Sequence, residues 1–200
     1  TCRRGTWGRE FKKAKKYRPP EHRPAATRTT TLIEKPKSLR FQAGERVFTD
    51  GSKNKAGDVG AAVYDEKTEK VELVGVRGRP TVLRAELMAI LRAVQSLEGW
   101  RHLRIFTDSL TSMRLIRRWV YCPHELNEED HIDVLDAIGE AIANREGKTD
   151  LHKVKAHADN QGNEKVDSGA KEATRCQTND RRLKHPNVRS LEPRATGEVY

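Results

Sequence analysis

The stretch that decides the fold is Arg46-Val47-Phe48-Thr49-Asp50-Gly51-Ser52. β-Branched and aromatic side chains lead up to Asp50, and the Gly-Ser pair after it is typical of a turn, so we predict a strand that ends at Asp50. The stretch 103–109 repeats this pattern and places Asp108 after a buried strand. Because right-handed connections put such strands side by side, we expect the two carboxylates to lie close together.

The remaining patterns predict the order βββαβααβα. Two further strand-like runs, 59–64 and 70–77, complete an antiparallel meander with the first strand. Apolar residues at helical spacing predict helices over 81–97, 109–120, 132–142 and 162–174, and residues 151–155 form a fifth strand. The predicted class is therefore α/β, with a mixed five-stranded sheet, three antiparallel strands then two parallel, covered by helices.

The positive charge of the chain is concentrated at its ends. The net charge is +10, and residues 1–40 alone hold 13 Lys and Arg against 3 Asp and Glu. We predict a basic, Pro-containing extension over 1–43, a folded domain over 44–175 and a polar basic tail over 176–200. Basic ends beside a nearly neutral domain suit a polyanionic partner such as nucleic acid. A solvated tail explains the same charge about equally well.

Several classes of protein are disfavoured by the composition. The three cysteines are far apart and show no metal-ligand spacing, which favours a reducing, intracellular compartment. No apolar run approaches the roughly 20 residues of a membrane helix, and no secretory signal is visible. The basic N-terminal region suits a nucleus, a mitochondrion or a ribosome. The chain begins at Thr1, which fits a fragment of a longer product or the remainder after a presequence is removed, and no pattern indicates a homo-oligomer.

Four acidic residues stand where phosphoryl chemistry would need them: Asp50, Glu86, Asp108 and Asp167. Glu86 lies in the first turns of the first long helix, and Asp167 lies in the last helix. Each alone has an ordinary explanation as a turn, cap or helix-dipole residue. Together they would repel one another without cations, and their oxygens suit Mg²⁺ or Mn²⁺. Two such ions can stabilise an in-line phosphoryl transfer.

Five short motifs occur in one order, namely 47–52 (VFTDGS), 84–87 (RAEL), 106–109 (FTDS), 154–157 (VKAH) and 162–167 (GNEKVD). Over roughly residues 44–174 they resemble the ribonuclease H family. The resemblance implies hydrolysis of the RNA strand of RNA–DNA hybrids, with two Mg²⁺ ions, or Mn²⁺ as a substitute, held by Asp50, Glu86, Asp108 and Asp167. It also implies His157 as a catalytic loop residue that assists proton transfer or product departure. We expect substrate contacts from Ser52, Asn54, Arg84 and Asn163, the first two of which suit RNA 2′-hydroxyls.

A finer resemblance links the stretches 81–86 and 151–157 to ribonuclease H domains of non-LTR retrotransposon polyproteins. Two features depart from the family pattern. Many cellular members have asparagines that read the minor groove where this chain has Val82 and Leu83. The bacterial form has a basic protrusion where this chain has an acidic connection, which includes Glu125, Glu128, Glu129 and Asp130. We expect phosphate binding instead from the N-terminal extension and from Arg114, Arg117 and Arg118, although a solvated helix face also explains these arginines.

Two classes of function remain open on the sequence alone. The first is the nuclease. The second is a ribonuclease H fold that serves as an RNA-binding structural part of a large ribonucleoprotein such as a ribosome. The intact acidic set favours the nuclease, because a purely structural domain has no need of four mutually repelling carboxylates. A DNA-acting relative such as an integrase or resolvase is disfavoured, because His157 and the Asn163–Asp167 stretch resemble ribonuclease H specifically.

Overall fold

A computed structural model describes residues 45–96, 102–121, 131–154, 160–176, 181–186 and 188. The strands are β1 (Glu45–Lys53), β2 (Val59–Asp65), β3 (Lys70–Val74), β4 (Leu103–Thr107), β5 (Thr149–Lys153) and β6 (Leu183–Lys184). The helices are α1 (Val82–Ser96), α2 (Leu110–Tyr121), α3 (Ile132–Ala143) and α4 (Gln161–Ala173). Among these helices we find none with the length and apolar character needed to cross a bilayer.

The strands form one mixed sheet in the order β5-β4-β1-β2-β3-β6. The pairs β1–β2 and β2–β3 are antiparallel, whereas β1–β4, β4–β5 and β3–β6 are parallel. The predicted α/β class with a mixed sheet is confirmed, and the structure adds β6 to the five expected strands. β6 lies within residues 176–200, which the sequence analysis treats as a tail. It is only two residues long, and its Leu183 is buried beside β3.

The central strand β1 is longer than its sequence indicates. The prediction that it ends at Asp50 was wrong, because β2 pairs with it antiparallel as far as Lys53 opposite Val59. The parallel ladder with β4, in contrast, stops at Thr49 opposite Thr107. Asp50 is therefore the first β1 residue beyond the parallel ladder, and Asp108 is the first residue after β4.

Helices cover both faces of the sheet, as alternation along β1 requires. Val47 belongs to a large buried cluster that includes the apolar side of α1, with α2 and α3 packed beside that helix. Phe48 points the other way and packs with Val166 and Ala170 of α4. Because these side chains are almost completely buried, the sheet and its two helical layers hold the carboxyl edge of β1 and β4 in place.

Candidate active site

Asp50 and Asp108 lie on neighbouring parallel strands at the same edge of the sheet. Phe48 is in register with Phe106, and their rings are stacked with centroids 5.0 Å apart. Because side chains alternate along a strand, Asp50 projects to the same face as Phe48, the face that carries α4. The two aspartates each follow one of these aromatic residues by two positions. The sheet register thus brings together two residues that are 58 positions apart in the chain.

Asp50 is the electrostatic centre of an acidic cluster. Its pKa is raised from 3.8 to about 7, first by burial and then by the negative charge of Asp108, with smaller contributions from Asp167 and Glu86. The backbone N–H of Gly51 donates a 2.8 Å hydrogen bond to Asp50 Oδ1, which opposes the rise in pKa. The other three acidic residues predicted from the sequence therefore all act on Asp50 in the folded chain.

Glu86 approaches this edge from the second turn of α1. The approach depends on Gly51, where a Cβ atom would lie 2.5 Å from the Glu86 backbone nitrogen and 2.8 Å from Ala85 Cβ. The pKa of Glu86 is raised, mainly by burial and also by the charge of Asp108, whereas hydrogen bonds from Ser109 and Ser112 lower it. Glu86 is thus a partly buried carboxylate, and two serine hydroxyl groups donate the hydrogen bonds that replace part of its hydration.

Asp167 reaches the cluster from α4. The helix begins at an Asn160 N-cap, whose side-chain oxygen accepts hydrogen bonds from the backbone nitrogens of Gly162 (3.1 Å) and Asn163 (3.4 Å). Asp167 lies about two turns into the helix and is partly exposed, and Lys171 Nζ lies 2.6 Å from its Oδ2. This i,i+4 pair gives Asp167 a neighbouring positive charge on its own helix.

The chemistry of these donors fits a hard divalent cation such as Mg²⁺ or Mn²⁺. Both ions prefer carboxylate oxygens, and a cation would relieve the repulsion that raises the pKa of Asp50. Within the described ranges, however, no three His, Cys, Asp or Glu side chains are grouped closely enough to hold a metal ion. Asp167 pairs with Lys171 through Oδ2, so this ion pair has to open before that oxygen can bind an ion, whereas Glu86 accepts from the two serines through Oε2 alone.

The expected substrate residues of the β1–β2 hairpin differ in their availability. Ser52 is partly exposed and lies opposite Gly60 in the β1–β2 ladder. Asn54 instead closes the hairpin, because its amide donates to Asp58 Oδ2 at 2.9 Å and its oxygen accepts from the Asp58 backbone nitrogen at 2.9 Å. The side chain of Asn54 is therefore occupied by turn formation, whereas Ser52 remains available to a ligand.

Arg84 and Asn163 are both buried. The Arg84 guanidinium makes a bidentate contact with Asp133, at 2.9 and 2.5 Å, and also donates to the backbone oxygen of Arg77. These bonds tie α1 to α3 and occupy the Arg84 guanidinium, and its contact with a substrate stays a prediction. Asn163 is 6% exposed, and its side-chain oxygen receives no hydrogen bond from the described residues.

Other predicted residues lie outside the described residues. His157 is one of them, as are the whole basic extension 1–43 and the acidic residues of the connection 122–130. Their proposed roles stay predictions. Of the α2 arginines, Arg114 and Arg118 are exposed and Arg117 is partly exposed.

Three residues near the acidic cluster were not predicted. Ser109 and Ser112 both donate to Glu86 Oε2, and Lys153 Nζ donates to the backbone oxygen of Asp108 at 3.0 Å. The signal for Ser112 was present, since it is a small polar residue among the apolar positions of an amphipathic helix. Its partner could not be inferred, because α1 and α2 meet only in the folded chain.

Comparison with known proteins agrees with this geometry. A search of curated proteins finds no match for the chain. The family model described as RNase H matches residues 42–175, about two thirds of the 200 residues, and the match includes all four acidic residues. This match, over a mixed sheet with an acidic edge, shows that the chain belongs to the RNase H family.

Proposed function

We propose that this chain is a metal-dependent endonuclease that hydrolyses the RNA strand of RNA–DNA hybrids. Membership of the RNase H family supports a nuclease that acts on such hybrids. The observation that carries the finer proposal is the repulsion of Asp50 by the three other carboxylates, which together with burial raises its pKa to about 7. Such repulsion lowers the stability of the folded state, and binding of divalent cations would explain why the four acids lie together.

Asp50, Glu86, Asp108 and Asp167 would hold two Mg²⁺ ions, with Mn²⁺ as a substitute. When bound, ions of this kind activate water and neutralise charge on a phosphoryl group. Asp50 would be the central residue of this ligand set, because the charges of the other three acids all act on it. In the reaction a water oxygen attacks phosphorus and the bond to the 3′ oxygen breaks, which leaves a 5′-phosphate and a 3′-hydroxyl. His157 is the proposed proton carrier.

Substrate selection is proposed to begin at the β1–β2 hairpin. Ser52 lies two residues after Asp50 and is partly exposed, which supports our proposal that its hydroxyl contacts a 2′-hydroxyl of an RNA strand at the acidic edge. A DNA strand lacks that group. Replacing Ser52 with alanine should raise KM for a hybrid more than it lowers kcat, and equal loss in both would contradict the assignment.

The decisive test is cleavage of a labelled RNA–DNA hybrid by the purified chain, with Mg²⁺, with Mn²⁺ and with neither. We expect metal-dependent cuts in the RNA strand only, and their loss in Asp50→Asn. Asp65→Asn is the matched control, because Asp65 ends β2 at the opposite end of the β1–β2 ladder, where it pairs with Val47. A folded wild-type chain that cuts with neither metal would contradict the enzyme and favour a structural role in a ribonucleoprotein.

We also propose that the domain derives from a non-LTR retrotransposon polyprotein, in which it would remove template RNA after reverse transcription. The support is the resemblance of residues 81–86 and 151–157 to that group. The proposal expects a reverse transcriptase segment in the same reading frame, and sequencing the complete reading frame would test it. A frame without one would count against this origin and leave the nuclease unaffected. Such a product would work in the nucleus or a mitochondrion.

A further inference from the structure

Ser112 is a polar residue in an apolar environment. It lies in the first turn of α2 with a relative exposure of 0%, and the neighbouring buried residues of the helix are Met113, Leu115, Ile116 and Trp119. Burying a hydroxyl without a partner costs free energy, so a buried serine needs a hydrogen bond that offsets the loss of its hydration. In this chain that hydrogen bond goes to the carboxylate of Glu86.

The contact joins two helices across the acidic edge. Ser112 Oγ donates to Glu86 Oε2 at 2.9 Å, and the hydroxyl of Ser109 donates to the same oxygen. The backbone nitrogen of Ser112 in turn donates to Ser109 Oγ at 3.2 Å, and the two hydroxyl oxygens lie 2.8 Å apart. Both serines are buried, so water competes little for these bonds.

The two hydroxyls act on only one of the two carboxylate oxygens. Oε2 of Glu86 accepts from both serines, whereas no described residue donates to Oε1. A carboxylate held through one oxygen loses rotational freedom but keeps the other oxygen for a ligand. This is the arrangement by which outer residues orient the ligands of a metal ion.

We propose that Ser112 is a positioning residue that holds Glu86 through Oε2 and thereby presents Oε1 to a divalent cation. This inference rests on the proposed function, since it assumes that Glu86 is a metal ligand. It differs from a purely structural role, in which the Ser112 bond would only tie α2 to α1. The two roles differ in what Ser112→Ala changes, because only positioning alters the affinity for the cation.

The test is calorimetric titration of Mg²⁺ into the full chain without substrate, beside measurements of kcat and of thermal stability. We expect Ser112→Ala to weaken Mg²⁺ binding on the order of tenfold, and its activity to recover at higher Mg²⁺. Ser112→Cys, which keeps the shape with a weaker donor, should weaken binding less and serves if the alanine variant does not fold. Ser96→Ala is the control, because Ser96 also hydrogen bonds within a helix but lies ten residues beyond Glu86.

A double variant separates positioning from general destabilisation. In a Glu86→Gln background, Ser112→Ala should have no further effect on Mg²⁺ binding, because the positioned carboxylate is already gone. Unchanged Mg²⁺ affinity in Ser112→Ala, or an equal loss in both backgrounds, would overturn the positioning role while leaving the nuclease intact. A wild-type chain that neither binds Mg²⁺ nor cuts a hybrid would overturn both proposals.

Discussion

Replacing Asp50 with asparagine removes one charge from the acidic cluster at almost constant size, and its effect on stability should depend on pH. The pKa of Asp50 is about 7 in the folded chain, because of burial and the neighbouring carboxylates, against 3.8 for an ordinary aspartate. Between these values the folded state holds a proton that the unfolded state has lost. The free energy of unfolding of the wild type therefore falls as the pH rises through this window.

The size of the effect follows from the width of the window. Each pH unit is worth about 1.4 kcal/mol, so from about pH 5.5 to about pH 7 the wild type loses at most about 2 kcal/mol. Asp50 is partly exposed, and water and salt screen the repulsion, so we expect about 1 kcal/mol. The stability of Asp50→Asn relative to the wild type should grow by this amount up to about pH 7 and then stay constant.

Urea denaturation with EDTA present, at several values between about pH 5.5 and about pH 9, measures this difference directly. Asp65→Asn controls for the loss of an aspartate outside the cluster. Adding Mg²⁺ near pH 8 should stabilise the wild type more than Asp50→Asn, because binding to the folded state adds to its stability. Parallel stability profiles for the wild type and Asp50→Asn, or a difference that shrinks as the pH rises from about 5.5 to about 7, would refute the electrostatic reasoning.

Two further predictions concern the contacts that hold the site. Gly51→Ala and Gly60→Ala should each destabilise the fold by roughly 1–3 kcal/mol, because each new Cβ meets backbone atoms. Only Gly51→Ala should also lower the specific activity of the folded protein, because its Cβ would meet the backbone of Glu86. Denaturation paired with hybrid cleavage tests this, and equal specific activities would contradict it. Arg84→Met should cost about 3 kcal/mol by leaving Asp133 unpaired, and Arg84→Lys should not restore the bidentate contact. A loss under about 1 kcal/mol in denaturant would refute the structural role of Arg84.

Much of the fold was predictable because its elements have strong local patterns. The apolar spacing of α1 continues for four turns, the β-branched and aromatic run 47–49 marks the buried part of β1, and β4 alternates between buried and partly buried residues. The adjacency of Asp50 and Asp108 was also predictable, because it follows from the handedness of the connections rather than from any detailed packing. The family match then agrees with the order of motifs along the chain.

Other features depend on contacts that no local pattern reports. Gly51 and Ser52 have the composition of a turn, yet they lie within β1, because the partner strand β2 supplies hydrogen bonds and α1 needs the space above Gly51. Arg84 is a long charged residue on a helix, and its burial depends on Asp133, 49 positions later. β6 is too short to produce any periodicity.

The acidic edge holds its carboxylates through contacts that are specific to each of them. Asp50 accepts from the next backbone nitrogen, Glu86 accepts from two serines, and Asp167 pairs with Lys171. None of these contacts cancels the repulsion that contributes to the pKa of about 7 at Asp50. The fold therefore holds these three acids by hydrogen bonds or an ion pair and leaves part of the negative charge around Asp50 uncompensated. A divalent cation bound at such a site would stabilise the folded state, because its positive charge would offset the repulsion between the carboxylates.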